Sequence, residues 1–437
     1  MTKRNINYIE MKKLSKKHYL FTSESVSESH PDLVAERIVD QVLDNLIAFD
    51  PETHCGLEGV VTTGLCVIVG EVKSKSYVDI PTIVRKTIKE LGYDKAEYGF
   101  AGDACGVLTG IHEQSSDIDM GVTREKPEDQ GAGDQGIMFG YAVNETPEYM
   151  PATISIAHKI MKTIADIRKN EKHLMPYLRP DGKCQVTIEY DENNKPVRID
   201  NILVSNQHED VFSSTEEMQS RIKNDIINIV IPKVKEYYDE NIQKLFDDKN
   251  IIYNVNPTGK WVNGSPAQDS GTVGRKLIVN SYGGWAQIGG GAQSGKSGYD
   301  KTDRSAMYMT RYVAKNLVAA GVADRVLIQL SYGIGLTRPL SIYVNTYGTN
   351  HTKYEENEIA EIIDDIFDLT PYGIAKQLKL KTPIYAETVA YGQVGQEPRI
   401  VHKHFENKYG DDVDIDVELF TWEKLDAVDK IKEAFNL

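Results

Sequence analysis

The sequence is poor in cysteine and has no paired cysteine motif. The four cysteines among 437 residues, Cys55, Cys66, Cys105 and Cys184, form neither a CxxC pair nor a spacing typical of metal ligands. This pattern argues against a disulfide framework and against a zinc-finger type of site. We therefore predict reduced thiols, which favours the cytoplasm as the location of the protein.

Long apolar runs are also missing from the sequence. No stretch approaches the roughly 20 apolar residues that a transmembrane helix needs. The first residues, MTKRNINYIEMKKLSKKHYLF, are basic and polar and lack the apolar core of a signal peptide. We expect no membrane association, and we interpret residues 1–17 as an N-terminal extension.

Positive charge is in deficit across the chain. Lysine and arginine number 50 against 65 aspartates and glutamates, which leaves a formal net charge of −15 at pH 7. Such a surface argues against binding to nucleic acid or to an anionic membrane. An anionic ligand would therefore have to bind in a local basic pocket of an acidic molecule.

Apolar periodicity and turn residues predict long helices separated by hairpins. We predict helices at residues 31–48, 82–92, 152–170, 214–234, 304–321 and 355–369, and strands within 60–72, 184–205 and 326–348. Asp303 precedes one of these helices and is predicted to cap it. Because strands and helices do not alternate regularly, the sequence favours an α+β fold over a doubly wound parallel sheet.

One glycine-rich stretch, GGGAQSGKSGYDKTDRS at 289–305, contains the phosphate-loop pattern GxxxxGK[ST]. A true phosphate loop follows a buried strand and opens a helix. Here the preceding SYGGWAQIGG does not resemble a buried strand, and helical periodicity resumes only at residue 304. The context therefore argues against a P-loop ATPase.

The same region is nevertheless rich in basic residues. Within about 45 residues it contains Lys260, Arg275, Lys276, Lys296, Lys301 and Arg304, interleaved with glycines that can expose backbone N–H groups. Two aspartates, Asp269 and Asp303, could hold Mg²⁺. In an acidic protein, this density favours a polyphosphate site over a solvated charged surface.

Five segments, taken in order, resemble the signature segments of the S-adenosylmethionine synthetases (methionine adenosyltransferases). They are FTSESVSESHPD (21–32), GAGDQGIMFGY (131–141), RPDGKCQVTIEYD (179–191), NPTGKWV (256–262) and GGGAQSGK (289–296). The last corresponds to a family signature that usually reads GGGAFSGKD. The resemblance extends from about His18 to His404 with similar spacing, and it implies a triphosphate-handling loop outside a P-loop fold.

The resemblance implies a fold and an assembly. We expect three similar α+β domains per subunit, at 18–125 with a gating loop at about 114–124, at 126–260, and at 261–437 with the glycine-rich loop. We also expect a homodimer or homotetramer with active sites between subunits.

The resemblance also implies a reaction between ATP and L-methionine. The methionine sulfur attacks C5′ of the ribose, the triphosphate leaves, and it is then cleaved to phosphate and pyrophosphate, with Mg²⁺ and K⁺ assisting. Because a thioether is a neutral and modest nucleophile, such chemistry depends on positioning and on stabilising the leaving group.

The family's functional residues carry over by position. Those expected at the reacting centre are His30, Asp134, Lys183, Lys276 and Lys296. Those expected to bind ATP are His30, Asp181, Lys183, Lys260, Trp261, Asp269, Arg275, Lys276, Ala292 and Lys296. Those expected to bind methionine are Glu71, Gln114, Asp134, Asp269, Lys296 and Lys301. Asp32 and Asp303 match magnesium ligands, and Glu58 matches a potassium ligand. The motif context favours these roles over a mere helix-capping role for His30.

Several departures from the family pattern lie near these residues. Ser29 and Leu33 stand where glycine and lysine are usual, and Gln293 and Ser297 replace phenylalanine and aspartate. The SGYD stretch before Lys301 reads one residue longer than usual. These changes keep two further hypotheses open: a nucleotide-binding regulatory subunit with weak turnover, and an adenosyltransferase for a different thioether.

Overall fold

The computed structural model describes residue 15 and residues 17–113, 124–408 and 410–437. Within these residues the helices are α1 (Pro31–Phe49), α2 (Ile80–Glu90), α3 (Ala152–Asn170), α4 (Thr215–Asp225), α5 (Ile231–Lys235), α6 (Glu240–Gln243), α7 (Leu277–Asn280), α8 (Thr302–Ala320), α9 (Glu356–Ile366), α10 (Pro371–Gln377) and α11 (Val428–Phe435). None of the helices in the described ranges is long and apolar enough to cross a membrane.

The strands form four sheets. They are β1 (Tyr19–Val26), β2 (His54–Thr62), β3 (Leu65–Lys73), β4 (Gly106–His112), β5 (Gly136–Val143), β6 (Leu178–Tyr190), β7 (Pro196–His208), β8 (Ile252–Val255), β9 (Gly271–Thr272), β10 (Arg325–Tyr332), β11 (Ser341–Asn345), β12 (Arg399–Phe405) and β13 (Val413–Leu419). The sheet orders are β1-β6-β7-β8, β4-β3-β2-β9, β11-β10-β5 and β12-β13. Hairpins packed against long helices confirm the predicted α+β class.

Each of the three larger sheets combines strands from two distant parts of the chain. β1 pairs with β6 antiparallel, with Tyr19 opposite Tyr190. β9 adds to β2, and β5 pairs with β10 along its whole length. The sheets therefore connect segments that are far apart in sequence, and they bring the loops between those segments together.

Helix α1 packs into the larger of the two main hydrophobic cores. Its apolar face, predicted from the periodicity at residues 31–48, is buried. His30 caps the helix, because its Nδ1 accepts a hydrogen bond from the Asp32 amide at 3.2 Å. The sequence favoured a ligand-binding role over a mere capping role for His30. Capping uses only Nδ1, so the ligand-binding role stays a prediction.

The predicted helix over 304–321 begins two residues earlier than expected. It spans Thr302–Ala320, its N-cap is Lys301, and Gly321 ends it in a left-handed conformation. The prediction that Asp303 caps this helix is wrong, because Asp303 lies in the first turn. Its carboxylate accepts from the Gly291 amide at 3.0 Å and from Lys296 instead. The Asp303 carboxylate therefore binds the glycine-rich loop instead of the backbone N–H groups at the start of the helix.

The glycine-rich stretch lacks the geometry of a P-loop. Residues 281–301 contain neither a strand nor a helix. The stretch instead runs beside β2, where the Leu57 amide donates to the Gly295 carbonyl and the Ser297 amide donates to the Cys55 carbonyl. The sequence-based rejection of a P-loop is confirmed.

Asp40 of α1 and Arg304 of α8 form a fully buried ion pair, with N–O distances of 2.7 and 2.6 Å. Removing the charge of Asp40 would leave the guanidinium buried and unpaired. We expect Asp40→Asn to lower the free energy of unfolding by about 3–5 kcal/mol, measured by urea denaturation. Asp103→Asn breaks the exposed pair with Lys89 and should cost less than about 1 kcal/mol. Equal effects of the two substitutions would contradict this reading.

Candidate active site

Helix α1 carries a row of buried carboxylates at every fourth residue. The row consists of Asp32, Glu36, Asp40 and Asp44, each at most 2% exposed, and we call it the acid row. Residues four apart lie on the same face of a helix, where like charges repel one another. Each carboxylate therefore needs donors from other parts of the chain.

The first half of the acid row holds the segment around residues 271–280. Asp32 accepts from Lys276 Nζ at 2.6 Å and from the Thr272 amide at 2.9 Å. Glu36 accepts from the Gly274 amide at 3.2 Å and from Asn280 Nδ2 at 2.8 Å. Two acids of one helix thus fix a segment about 240 residues further along the chain.

The second half of the acid row holds the glycine-rich loop and the carboxy-terminal part. Asp40 accepts from the Gly295 amide at 2.7 Å, and its partner Arg304 also donates to the Lys296 carbonyl at 3.0 Å. Asp44 accepts from Lys403 Nζ at 2.9 Å. The backbone on both sides of the Lys296 side chain is therefore anchored to buried charges.

The structure brings seven of the predicted site residues into one region, which we call the first cluster. Its members are His30, Asp32, Asp181, Lys183, Asp269, Arg275 and Lys276. Arg275 Nε lies 3.8 Å from Asp32, whose other oxygen holds Lys276. This cluster brings three cations and three carboxyl groups together around the amino-terminal end of α1.

His30 is a neutral hydrogen-bond donor in this cluster. Burial, and then the charges of Lys276 and Lys183, lower its pKa to about 3. In the neutral ring Nδ1 accepts from the Asp32 amide, so the proton resides on Nε2. His30 Nε2 is buried and has no hydrogen-bond partner among the described residues. This nitrogen is therefore available to donate to a ligand atom.

Asp181 is the other group of the first cluster with an unused buried atom. Its Oδ2 accepts from the Ser265 amide at 3.1 Å, whereas its Oδ1 has no hydrogen-bond partner among the described residues. Burial raises its pKa to about 7. Asp181 and Lys183 are two residues apart on β6, so they lie on the same face of the strand. A buried acceptor therefore lies near an exposed ammonium.

Two other predicted ATP contacts, Trp261 and Ala292, adjoin residues next to this cluster, and a third, Lys260, is paired elsewhere. Trp261 is half-buried. Its amide donates to His208 Nε2, and its carbonyl accepts from the His208 amide. Ala292 packs under Gly274, where an added Cβ would come within 2.9 Å of the Ala292 Cβ. Lys260 is exposed and paired with Asp210 at 2.9 Å, so no ion pair ties it to either cluster.

A second cluster forms where the glycine-rich loop meets β2 and β3. Its members are Glu58, Glu71, Asp134, Lys296, Lys301 and Asp303. Gly56 of β2 pairs with Glu71 of β3 and also forms an isolated bridge with Lys296. This register places Lys296 beside the two acidic strands.

Ion pairs link the lysines of the second cluster to its acids. Lys296 Nζ lies 2.5 Å from Asp303, and Lys301 Nζ lies 2.8 Å from Glu71. Burial opposes the charge of Lys301, but Asp300, Glu71 and Asp134 raise its pKa overall. Burial raises the pKa of Glu58, against the opposing charge of Lys296. Because the cluster contains both ammonium and carboxylate groups, it suits a ligand that carries both charges, such as a zwitterion.

The two clusters are not bonded directly to each other through their side chains in the described part of the chain. Across the described residues, no hydrogen bond or ion pair joins a side chain of the first cluster to one of the second. Gln114, predicted to bind methionine, lies outside the described residues. The predicted site residues in the described part of the chain thus form two hydrogen-bonded groups.

The predicted metal ligands fit cations that complete their shells with ligand oxygens. Asp32 and Asp303 each hold one lysine ammonium and one backbone N–H, so both sites already favour positive charge next to a carboxylate. The part of the chain that is described contains no group of three or more His, Cys, Asp or Glu residues that could hold a metal ion. Such sparse donors suit Mg²⁺, which is often bound by one or two carboxylates plus phosphates and waters.

Some assignments from the sequence need correction. Arg304 was counted with the basic residues of a polyphosphate pocket, but it is fully buried and paired with Asp40, so it cannot meet a ligand. Leu33 lies in an apolar cluster with Val26, Val279 and Val389. Ser29 Oγ donates to the Leu91 carbonyl at 2.7 Å. These two departures are therefore accommodated by packing.

Sequence reasoning missed the acid row beyond Asp32. Glu36, Asp40 and Asp44 are not among the residues that the signature segments assign to substrate or metal binding, so no motif predicted a role for them. The available signal was the spacing itself, because four acids at intervals of four occur within a helix whose remaining face is apolar. A charged residue inside a buried helix implies a partner elsewhere.

Glu36 should make stability depend on pH. Burial raises its pKa to about 7 from the model-compound value of 4.5. Between these values the folded state binds more protons, so the free energy of unfolding falls as pH rises through this window. We expect Glu36→Gln to reduce the loss between pH 5 and pH 8 by about 1–3 kcal/mol, measured by urea denaturation. The exposed Glu90→Gln is the control, and an unchanged pH slope in Glu36→Gln would refute the assignment.

Comparison with known proteins extends over almost the whole chain. Three family models match it: the S-adenosylmethionine synthetase N-terminal domain over residues 18–116, the central domain over 129–261 and the C-terminal domain over 263–406. S-adenosylmethionine synthases of Phocaeicola vulgatus and Bacteroides thetaiotaomicron are each 54% identical over 431 residues, covering 96% of this chain and 100% of the relative. That of Cytophaga hutchinsonii is 53% identical over 420 residues, covering 96% of this chain and 99% of the relative. These matches confirm the resemblance that the signature segments indicated.

Proposed function

The chain belongs to the S-adenosylmethionine synthetase family, and on that premise we propose that it forms S-adenosylmethionine from ATP and L-methionine. The observation that carries the proposal is the first cluster. There a neutral histidine donor and a buried carboxyl oxygen lie beside several cations, and neither has a hydrogen-bond partner among the residues that the structure describes. These groups suit a nucleotide with a polyphosphate tail. The second cluster supplies paired charges that suit an amino acid.

In the proposed reaction, the first cluster stabilises the leaving triphosphate. His30 Nε2 donates a hydrogen bond to the oxygen that departs from C5′, and a neutral donor can do so without a proton transfer. Lys183, Arg275 and Lys276 balance the charge that develops on the triphosphate. Asp181 accepts from the nucleoside, and Trp261 provides an aromatic face for adenine.

The second cluster positions methionine and the far end of the phosphate chain. Glu71 matches a partner for the methionine ammonium, and Lys301 matches one for its carboxylate. Lys296 reaches the triphosphate, and Asp134 and Asp269 orient both substrates. Holding the sulfur in line with C5′ converts a poor nucleophile into an effective one through proximity. Asp32 and Asp303 would hold Mg²⁺ and Glu58 would hold K⁺; these ions neutralise phosphate charge when bound.

We also propose that each active site combines the first cluster of one copy with the second cluster of another. The lack of a side-chain hydrogen bond or ion pair between the two clusters in the described residues is consistent with this arrangement. The sheet that contains β2, β3 and β4 exposes Val60, Val69 and Leu108, which are 39%, 43% and 58% accessible. Exposed apolar side chains on one sheet suit burial against a second copy.

A cytoplasmic location is supported by four buried free cysteines.

The test of the function is an incubation with ATP, Mg²⁺, K⁺ and L-methionine, followed by mass spectrometry. The proposal predicts S-adenosylmethionine, phosphate and pyrophosphate, with no ADP. ADP would indicate a phosphotransferase or ATPase instead. Bound but intact ATP would favour the regulatory-subunit hypothesis, and a sulfonium product with another thioether only would identify a different substrate.

Lys296→Ala should reduce kcat by about 10²–10³-fold, because the ammonium stabilises charge in the transition state. In the described part of the chain, Lys296 forms an ion pair with Asp303 alone, and Asp303 would keep its hydrogen bond from the Gly291 amide. We therefore expect a much larger effect on kcat than on stability. Lys379→Ala removes a lysine from a more exposed ion pair, with Glu418, outside both clusters and serves as the control for loss of a lysine charge. Unchanged kcat in Lys296→Ala would remove this residue from the reacting centre.

A further inference from the structure

The turn of residues 297–300, SGYD, lies between the two lysines of the second cluster. The Lys301 amide donates to the Ser297 carbonyl at 3.2 Å, which closes the turn. This is the stretch that reads one residue longer than the usual family sequence and that carries Ser297 in place of aspartate. Ser297 and Asp300 are nevertheless fully buried. A departure from the family pattern has therefore been built into the interior of the fold.

We infer that Asp300, held by His54 and Ser297, is a positioning residue for the methionine half of the site; the inference rests on the proposed function. Asp300 Oδ2 accepts from His54 Nδ1 at 3.0 Å, and Oδ1 accepts from the Ser297 hydroxyl. The Ser297 hydroxyl in turn accepts from the Cys55 amide at 3.0 Å. These three side chains tie the turn to the start of β2.

The backbone of the turn sets a second residue of the same half. The Asp300 carbonyl accepts from the Gly133 amide at 2.9 Å, and Gly133 directly precedes Asp134. The Tyr299 carbonyl accepts from Gln130 Nε2 at 3.2 Å. Asp300 therefore joins the loop that carries Asp134 to the loop that carries Lys301.

The following residue completes the arrangement. Lys301 reaches back to Glu71 on β3 at 2.8 Å. Three proposed methionine contacts, Glu71, Asp134 and Lys301, are thus held in one geometry through a residue that contacts no substrate itself. The turn is closely packed at Gly298, because an added Cβ there would come within 2.4 Å of the Tyr385 hydroxyl.

A positioning role and a purely stabilising role predict different kinetics. Loss of positioning should weaken methionine binding selectively, because the first cluster and its nucleotide contacts are anchored by Asp32 and Glu36 instead. A purely stabilising role would lower the melting temperature while leaving the kinetic constants of the folded enzyme unchanged. The KM for methionine, compared with the KM for ATP and with kcat, separates the two.

The experiment compares His54→Leu with His54→Asn in the full-length protein. Leucine removes the donor to Asp300, whereas the asparagine amide can place an N–H near the position of Nδ1. We expect His54→Leu to raise the KM for methionine about tenfold and the KM for ATP much less, because most of the proposed nucleotide contacts lie in the first cluster. His54→Asn should restore most of the methionine affinity. An unchanged methionine KM in folded His54→Leu would overturn the inference.

Two further variants keep the test decisive. His404→Leu breaks another His–Asp contact of 2.9 Å, with Asp414 in the β12-β13 hairpin, and should leave the KM for methionine unchanged. Asp300→Asn, if it folds, should raise that KM as His54→Leu does. If the wild type forms no S-adenosylmethionine, the proposed function fails. Methionine affinity measured by calorimetry then decides separately whether the His54–Asp300 contact positions this half of the site.

Discussion

The buried acid row of α1 is the interaction on which the rest of the site depends. Four carboxylates on one helical face would repel one another and lose hydration, so the fold is stable only when donors from elsewhere reach them. Those donors come from the segment at 271–280, from the glycine-rich loop, from Arg304 of α8 and from Lys403 near the carboxy terminus. The requirement to neutralise one helix therefore aligns the loops that carry both clusters. Asp32 is the one acid of the row that also carries a predicted ligand role.

Much of this architecture could be predicted from the sequence, and the reason is local. Helix α3 has the predicted bounds of 152–170, and Gly92 and Gly321 end their helices in left-handed conformations, as backbone sterics require. The candidate site residues could be predicted because most of them lie within or next to short signature segments. The long-range partners could not be predicted in this way. Arg304 looks like any basic residue of the loop until Asp40, 264 residues away, is seen to face it.

The corrections share a physical cause, which is competition between local and distant partners. Asp303 has the residue type and position of a helix cap, but the Gly291 amide and Lys296 bind its carboxylate instead. His30 has a role in both settings, since one ring nitrogen caps α1 and the other remains a buried donor. The departures at Ser29, Leu33 and Ser297 are satisfied by packing or hydrogen bonds. A changed signature thus does not by itself imply a lost activity.

The central claim is that one chain supplies two half-sites, and subunit mixing tests it most directly. We expect Lys276→Ala to inactivate the first cluster and Lys296→Ala to inactivate the second. Copies carrying one substitution each can be co-expressed with different tags and purified through both. If sites combine clusters from two copies, every mixed dimer contains one intact site and should regain about half of wild-type activity. If each chain holds a complete site, both copies are defective, and the mixed dimer should be no more active than either variant alone.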